Sequence, residues 1–149
     1  MPLFEPIDES FLIERCRRDA WSIFKPDHFH NCYEIYYLAS GSIAYFIRDT
    51  VYQIERGDFI VIPPDILHKT LPCQQPDHTR ILLYIKPDFL EHTLECPGFF
   101  KKNFPEPVII TGREKIANAL LQTLQKETTI PDNAVMQRLL CGRLLLCLL

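Results

Sequence analysis

Hydrophobic positions along the chain change their period twice. From Phe29 to Ile62, β-rich runs at 33–39, 43–48, 51–55 and 59–62 are separated by the turn signals Gly41-Ser42, Asp49-Thr50 and Arg56-Gly57-Asp58. Short strands at this regular spacing predict an antiparallel sandwich or barrel. After prolines at 63, 64, 72 and 76, the nearly continuous apolar run Arg80-Ile81-Leu82-Leu83-Tyr84-Ile85 predicts a buried strand of the same barrel, and Pro87 ends it. Beyond Pro107 the period becomes helical. Ile116, Ala117, Leu120, Leu121 and Leu124 fall on one face, and Thr111 with Glu114 reads as a capping box. Pro131 suits the first turn of a second helix, in which Val135, Leu139, Gly142, Leu146 and Leu149 recur at four- and three-residue steps.

The remaining segments carry weaker patterns. Met1 to Ser10 holds two prolines and three acids and predicts an extended or mobile arm, of the kind that folds over a pocket mouth. Phe11 to Phe24 mixes Leu12 and Ile13 with Arg15, Arg17 and Arg18, which predicts one or two edge strands. Residues 88–93 and 97–103 read as short helical or irregular pieces, and Pro105 and Pro107 bracket a loop. The expected architecture is mainly β with C-terminal helices, a barrel with its arm over 1–110 and a helical segment over 111–149. The last helix ends on apolar residues without a cap, which reads as an excised fragment rather than a natural terminus.

Composition narrows the function classes. With 149 residues and 47% hydrophobic content, the chain can bury one sizeable core. Its net charge is −3, and its longest basic runs are Arg17-Arg18 and Lys101-Lys102, which argues against nucleic-acid binding by this chain alone. Six cysteines without a Cys-x-x-Cys pair read as reduced core thiols of a cytoplasmic protein. Met1-Pro2-Leu3-Phe4-Glu5-Pro6 has no signal-peptide character, and the apolar stretch from Leu144 to Leu149 is far below the ~18 residues of a membrane helix.

Candidate chemistry is concentrated between His28 and His68. In an extended strand alternate side chains share a face, so His28, His30, Cys32, Glu34, Tyr36 and Leu38 are expected to point one way. A turn at Gly57, a short strand, and the stop at Pro63-Pro64 present His68 just beyond. His28, His30, Glu34 and His68 then form a four-ligand pocket whose imidazole and carboxylate groups suit Zn, Ni, Mn or Fe. The same four side chains also serve as hydrogen-bond partners for the hydroxyl groups of an organic ligand, with Tyr36 and Tyr45 as stacking surfaces. Tyr33, Tyr37 and Trp21 read as packing residues and Cys32 as a small apolar filler. His78 and His92 are expected at the surface without a role, and Arg15, Arg17 and Arg18 as a solvated face.

Two spacings carry a resemblance to a known family. His28-x-His30, three residues, Glu34, six residues, Gly41 resembles the first cupin motif, and Gly57, five residues, Pro63, x, Asp65, two residues, His68 resembles the second. More narrowly, Tyr33-Glu34-Ile35-Tyr36-Tyr37-Leu38-Ala39-Ser40-Gly41, Arg56-Gly57-Asp58 and Ile62-Pro63-Pro64 are similar to the ligand-binding domain of AraC-type transcription regulators. The resemblance implies a cupin-like jelly-roll barrel that binds a small, often sugar-like effector. It further implies a two-helix dimerisation segment, a homodimer, and DNA binding only through a helix-turn-helix domain absent from this chain. A metal-dependent cupin enzyme, a dioxygenase or sugar isomerase, is the alternative, with His28, His30, Glu34 and His68 as metal ligands. The sensor is favoured because a leucine-rich terminal helix serves a dimer surface, and because no general acid or base stands beside the ligands.

Overall fold

This computed structural model describes residues 1–19, 26–71, 73, 75 and 77–149, and ten strands and four helices run through them. Trp21 and the prolines at 72 and 76 lie outside the described residues, as do residues 20–24 of the segment expected to hold edge strands. The strands are β1 (Leu3–Phe4), β2 (Phe11–Arg18), β3 (His28–Phe29), β4 (Tyr33–Ser40) and β5 (Ser42–Ile47). They continue with β6 (Thr50–Glu55), β7 (Phe59–Ile62), β8 (His68–Leu71), β9 (His78–Ile85) and β10 (Val108–Ile110). One sheet has the order β1-β3-β8-β5-β6 and the other β10-β7-β4-β9-β2. Apart from the short parallel pair β1·β3, the pairings are antiparallel, so the expected antiparallel β-barrel of cupin-like layout is the fold found.

Strand β4 is the spine, because its two faces serve two different cores. Tyr36 and Leu38 face the barrel interior, where they meet Ile60, Ile62 and Leu82 of their own sheet and Ile43, Tyr45, Ile47 and Ile54 of the other. Tyr33, Ile35 and Tyr37 face outward, with Phe59, Val61, Ile81, Leu83 and Ile85, into a second core closed by helices. Burial on both faces explains why β4 and β9 read as nearly continuous apolar runs rather than as alternating ones. The covering helices are α1 (Pro87–Glu91), α2 (Phe99–Asn103), α3 (Glu114–Glu127) and α4 (Ala134–Leu148). Phe99, Phe100, Phe104, Leu121, Leu124, Leu144 and Leu145 fill the outer core, so the helical segment is packed on the sheet rather than held apart from it.

Several local expectations are corrected. Helix α3 starts at Glu114 behind Arg113, without a side-chain cap, because Gly112 at φ 73° turns the chain after Thr111. Glu114 does not close a capping box; its carboxylate receives Arg56 at 3.2 Å and packs against Gly57. Helix α4 starts at Ala134, so Pro131 belongs to the preceding turn, where Asp132 adopts φ 58°. Ile116 is exposed although Ala117, Leu120, Leu121 and Leu124 are buried. Gly142 faces inward, with Leu90 and Leu94 carbons 3.4 and 3.3 Å from where a Cβ would stand, while Val135, Leu139, Leu146 and Leu149 face solvent. The N-terminal arm is partly laced down: β1 pairs with β3, and the Ile7 amide donates to Asn31 Oδ1 at 3.0 Å.

Gly41 closes the β4–β5 hairpin at φ 87°, and a Cβ there would stand 2.7 Å from the Asp77 carbonyl oxygen and 2.8 Å from the His78 Cβ. Neither the left-handed backbone nor the backbone contact can be relieved by a rotamer change. Gly41→Ala is therefore expected to lower the unfolding free energy by about 2 kcal/mol or more in urea titration. A change within ~0.5 kcal/mol would refute this account of the hairpin.

Candidate functional site

The four polar residues reach one point from three elements and a bend. His28 ends up opposite His68 in the β3·β8 pair, while Glu34 lies on β4 in the facing sheet, paired with Ile62 and Tyr84. Strand β3 stops at Phe29, and residues 30–32 carry the chain from one sheet to the other. The expectation that His28, His30 and Glu34 share one strand face is thus corrected: they converge because the chain crosses between sheets at His30. One candidate ligand atom from each of His28, His30, Glu34 and His68 lies within 4.8 Å of the others, and all four residues are buried.

Hydrogen bonds orient the rings. Each Nδ1 faces a backbone carbonyl: His28 that of Pro26 at 3.2 Å, His30 that of Cys32 at 3.2 Å, and His68 that of Ile66 at 2.7 Å. A carbonyl only accepts, so these contacts assign the proton to Nδ1 and turn Nε2 toward the centre. His30 Nε2 lies 2.8 Å and His68 Nε2 3.2 Å from Glu34 Oε2, and the Tyr45 hydroxyl donates to Glu34 Oε1 at 2.5 Å. Both carboxylate oxygens are thereby occupied.

Electrostatics follow from this closure. Burial alone would raise the Glu34 carboxyl, but the charge of His68 and hydrogen bonds from His30 and His68 hold it well below the usual carboxylate range. Burial lowers the His30 imidazole, yet the hydrogen bond and charge of Glu34 outweigh it and raise His30 above its ordinary value. His28 is lowered by burial and by the neighbouring His68, which outweigh the opposing charge of Glu34. Burial and the Glu34 charge push the Tyr45 phenol far up, so it stays a donor. The resting cluster is an anionic Glu34 sharing a proton with His30, flanked by a neutral His28.

With ligand bonds of about 2.0–2.2 Å, two donors of one tetrahedral ion stand roughly 3.3–3.6 Å apart, so a pair at the 4.8 Å limit would close by about an ångström. Three imidazoles with Nδ1 held by carbonyls and one carboxylate fit a divalent transition metal. His28, His30, Glu34 and His68 would hold it, displacing the shared proton.

Other residues complete the picture. The Tyr45 hydroxyl on Glu34 was not read from the sequence; only its ring was assigned a role. Tyr36 is fully buried, edge-on to Tyr45 at 5.3 Å. Cys32 is buried with its Sγ 3.7 Å from His30 Nδ1, and burial with the Glu34 charge pushes its thiol up to about 12, which leaves it a neutral filler. Tyr33 and Tyr37 are core residues and His92 is exposed, as expected. His78 is not: at 2% exposure it is buried on β9, because alternation carries it inward from the proline-flanked turn. Arg15 and Arg17 are solvated, whereas Arg18 is half-buried. Of the six unpaired cysteines, Cys32 and Cys141 are core thiols and Cys96 is exposed. A cleft of about 700 Å³ opens outside the barrel between Pro63, Pro64, Phe100 and Lys101, but it contains none of the four polar residues.

This is a barrel of the cupin class, with a polar cluster enclosed between its sheets. The model of the AraC-like ligand binding domain matches residues 11–140, and the chain belongs to that family. Among solved structures it is similar to apo ToxT K231A from Vibrio cholerae, with 12% identity, TM-score 0.56, and coverage of 80% of this chain and 49% of ToxT. A cupin protein from Bacteroides fragilis aligns with 19% identity and TM-score 0.47 over 52% of this chain and 67% of its own. The plu4264 protein from Photorhabdus luminescens aligns with 23% identity and TM-score 0.46, covering 55% of this chain and 68% of its own. A search of curated proteins found no match. Among the described residues no helix is long and apolar enough to cross a membrane.

Proposed function

We propose that this chain is the effector-sensing and dimerisation domain of a cytoplasmic AraC-type transcription regulator. Its barrel binds a small polar, sugar-like molecule and thereby controls a helix-turn-helix domain outside this chain. The observation that carries the reading is the enclosed cluster of His28, His30, Glu34, Tyr45 and His68 inside a barrel of the AraC-like ligand-binding family. Residues 1–110 supply the binding barrel and 111–149 the dimer surface.

Each residue has a part in binding. Glu34, held anionic, accepts hydrogen bonds from ligand hydroxyls that replace its present donors; His30 donates; His28, with its proton on Nδ1, accepts through Nε2. Tyr36 offers a ring edge and hydroxyl within the same interior. A Zn, Ni, Mn or Fe ion on His28, His30, Glu34 and His68 would supply Lewis acidity and an anchor for hydroxyl oxygens. A metal-dependent cupin enzyme is the second reading, favoured by that ligand geometry.

Elemental analysis of the purified chain, with a thermal-shift screen against sugars, polyols and sugar acids, tests the proposal. A ligand at a hundredfold its Kd adds about 2.7 kcal/mol of stability, which a melting curve resolves. Glu34→Gln is expected to weaken that response at least tenfold. If a metal is present, His30→Ala or His68→Ala is expected to strip it. A ligand response indifferent to Glu34→Gln would refute the barrel site, and metal-dependent turnover would select the enzyme.

A further inference from the structure

The interior has a second polar region, displaced along β4 from Glu34 and built around Arg80. Arg80 lies on β9 opposite Leu38 of β4 and Cys16 of β2, on the inward face with Leu82, and only 8% of it is exposed. Its guanidinium carbon is 5.7 Å from the centroid of the Tyr36 ring. A buried guanidinium needs its charge balanced and its five N–H groups bonded. Among the described residues its one hydrogen bond runs from an Nη to Glu14 Oε1 at 3.3 Å, on a carboxylate side chain itself 49% exposed. Glu34 does not serve it, because both Glu34 oxygens are taken by His30, His68 and Tyr45.

Two donors are left over there. Among the described residues, neither the Nε of Arg80 nor the hydroxyl of Tyr36 has a hydrogen-bond partner, and both atoms are buried. A phenol ordinarily keeps its proton at neutral pH, so that hydroxyl is a donor. A leftover cationic N–H and a leftover O–H within one interior are the complement of an oxyanion. Arg18, on the same face of β2, adds positive field at Tyr36.

We propose that Arg80 and Tyr36 bind the carboxylate of an acidic effector, whose hydroxyl groups reach the Glu34 cluster, and that Glu14 holds the guanidinium until the ligand displaces it. The ligand class is therefore a hydroxy acid or sugar acid rather than a neutral sugar. The inference rests on the barrel being the effector site and narrows what occupies it. A carboxylate is favoured over a phosphate because the free donors offer one N–H and one O–H, too few for a dianion with three terminal oxygens. Glu14 accounts for the long, rim-exposed ion pair: it is a carboxylate already docked on Arg80, and exchange for another keeps the charge balanced throughout.

Matched probes test this in the purified chain by thermal shift and calorimetry: glucuronate against glucose, gluconate against glucitol, and glucose 6-phosphate. At least one acid is expected to bind, and its neutral counterpart to bind at least tenfold more weakly. Tyr36→Phe should weaken the acid roughly tenfold and Arg80→Met roughly a hundredfold, the range for hydrogen bonds to charged groups. Glu14→Gln should tighten it about fivefold, since it removes a competing like charge at near-contact distance. A merely structural Arg80–Glu14 pair would not give opposite signs to its two partners. Should Arg80→Met fail to fold, the Glu14→Gln gain and the Tyr36→Phe loss decide alone. Equal binding of acid and neutral probe, preference for the phosphate, or loss of affinity in Glu14→Gln overturns the proposal. So does silence from every acid. Neutral-sugar binding that depends on Glu34 would sink the acid and leave the barrel site standing, whereas acid binding indifferent to both Glu34 and Arg80 would sink both.

Discussion

Replacing Glu34 by alanine is expected to lower the unfolding free energy of the metal-free chain by about 3–5 kcal/mol, the cost of breaking a buried charge pair from one side. Three groups lose their partner at once: His30 Nε2, His68 Nε2 and the Tyr45 hydroxyl, all buried. The side chain's volume is lost as well, in an interior closed by Tyr36, Tyr45 and Ile62. Tyr45→Phe, which removes one donor and keeps the ring, is expected to cost only about 1 kcal/mol. Glu34→Gln keeps the volume and two hydrogen-bonding groups but gives up the charge that raises His30, and should fall between the two. Urea titration of the three variants gives the order directly. If Glu34→Ala lay within ~1 kcal/mol of the parent chain, the imidazoles would not be organised by this carboxylate.

Much of that cluster was legible because cupin-like spacing marks residues that the fold brings together, whatever path the chain takes. The inferred path was nonetheless wrong. Strict alternation over residues 28–38 treats the segment as one strand, whereas β3 ends at Phe29 and β4 begins at Tyr33 in the other sheet. A crossing of this kind leaves no mark on hydrophobic period, since His30, Cys32 and Tyr33 are buried either way. Arg80 carries a signal of its own: a cation on the inward register of a buried strand, on the same face as Leu82 and Tyr84, demands a partner. His78 was misplaced because prolines beside it suggested a loop, while β9 extends to include it. The helix starts failed for a different reason. Capping boxes and N-terminal prolines are local preferences worth about 1 kcal/mol, and packing of Leu120, Leu121 and Leu124 against the sheet outweighs them.

On the proposed dimer surface, Leu139→Glu combined with Leu146→Glu is expected to give monomers in sedimentation experiments. Helix α4 has more apolar surface than the barrel can cover. Cys141, Leu144, Leu145 and Leu148 are buried against it, while Val135, Met136, Leu139, Leu146 and Leu149 remain 42–65% exposed. Exposed apolar residues along one helix face are costly in water and are commonly relieved by association. In a two-fold interface each position is used twice, so the double substitution removes four leucines from contact. At about 1.5 kcal/mol or more per side chain, that is a loss of ~6 kcal/mol before the cost of burying glutamates. A dimer with Kd near 1 μM has about 8 kcal/mol of association free energy, so the variant would be monomeric at any practical concentration. The barrel should be unaffected, because both leucines are more than half exposed in the single chain and lie outside its two cores. Unchanged thermal unfolding of the variant monomer would show that the substitutions act on the interface alone. A parent chain that sediments as a monomer near 1 mM would refute the dimer surface.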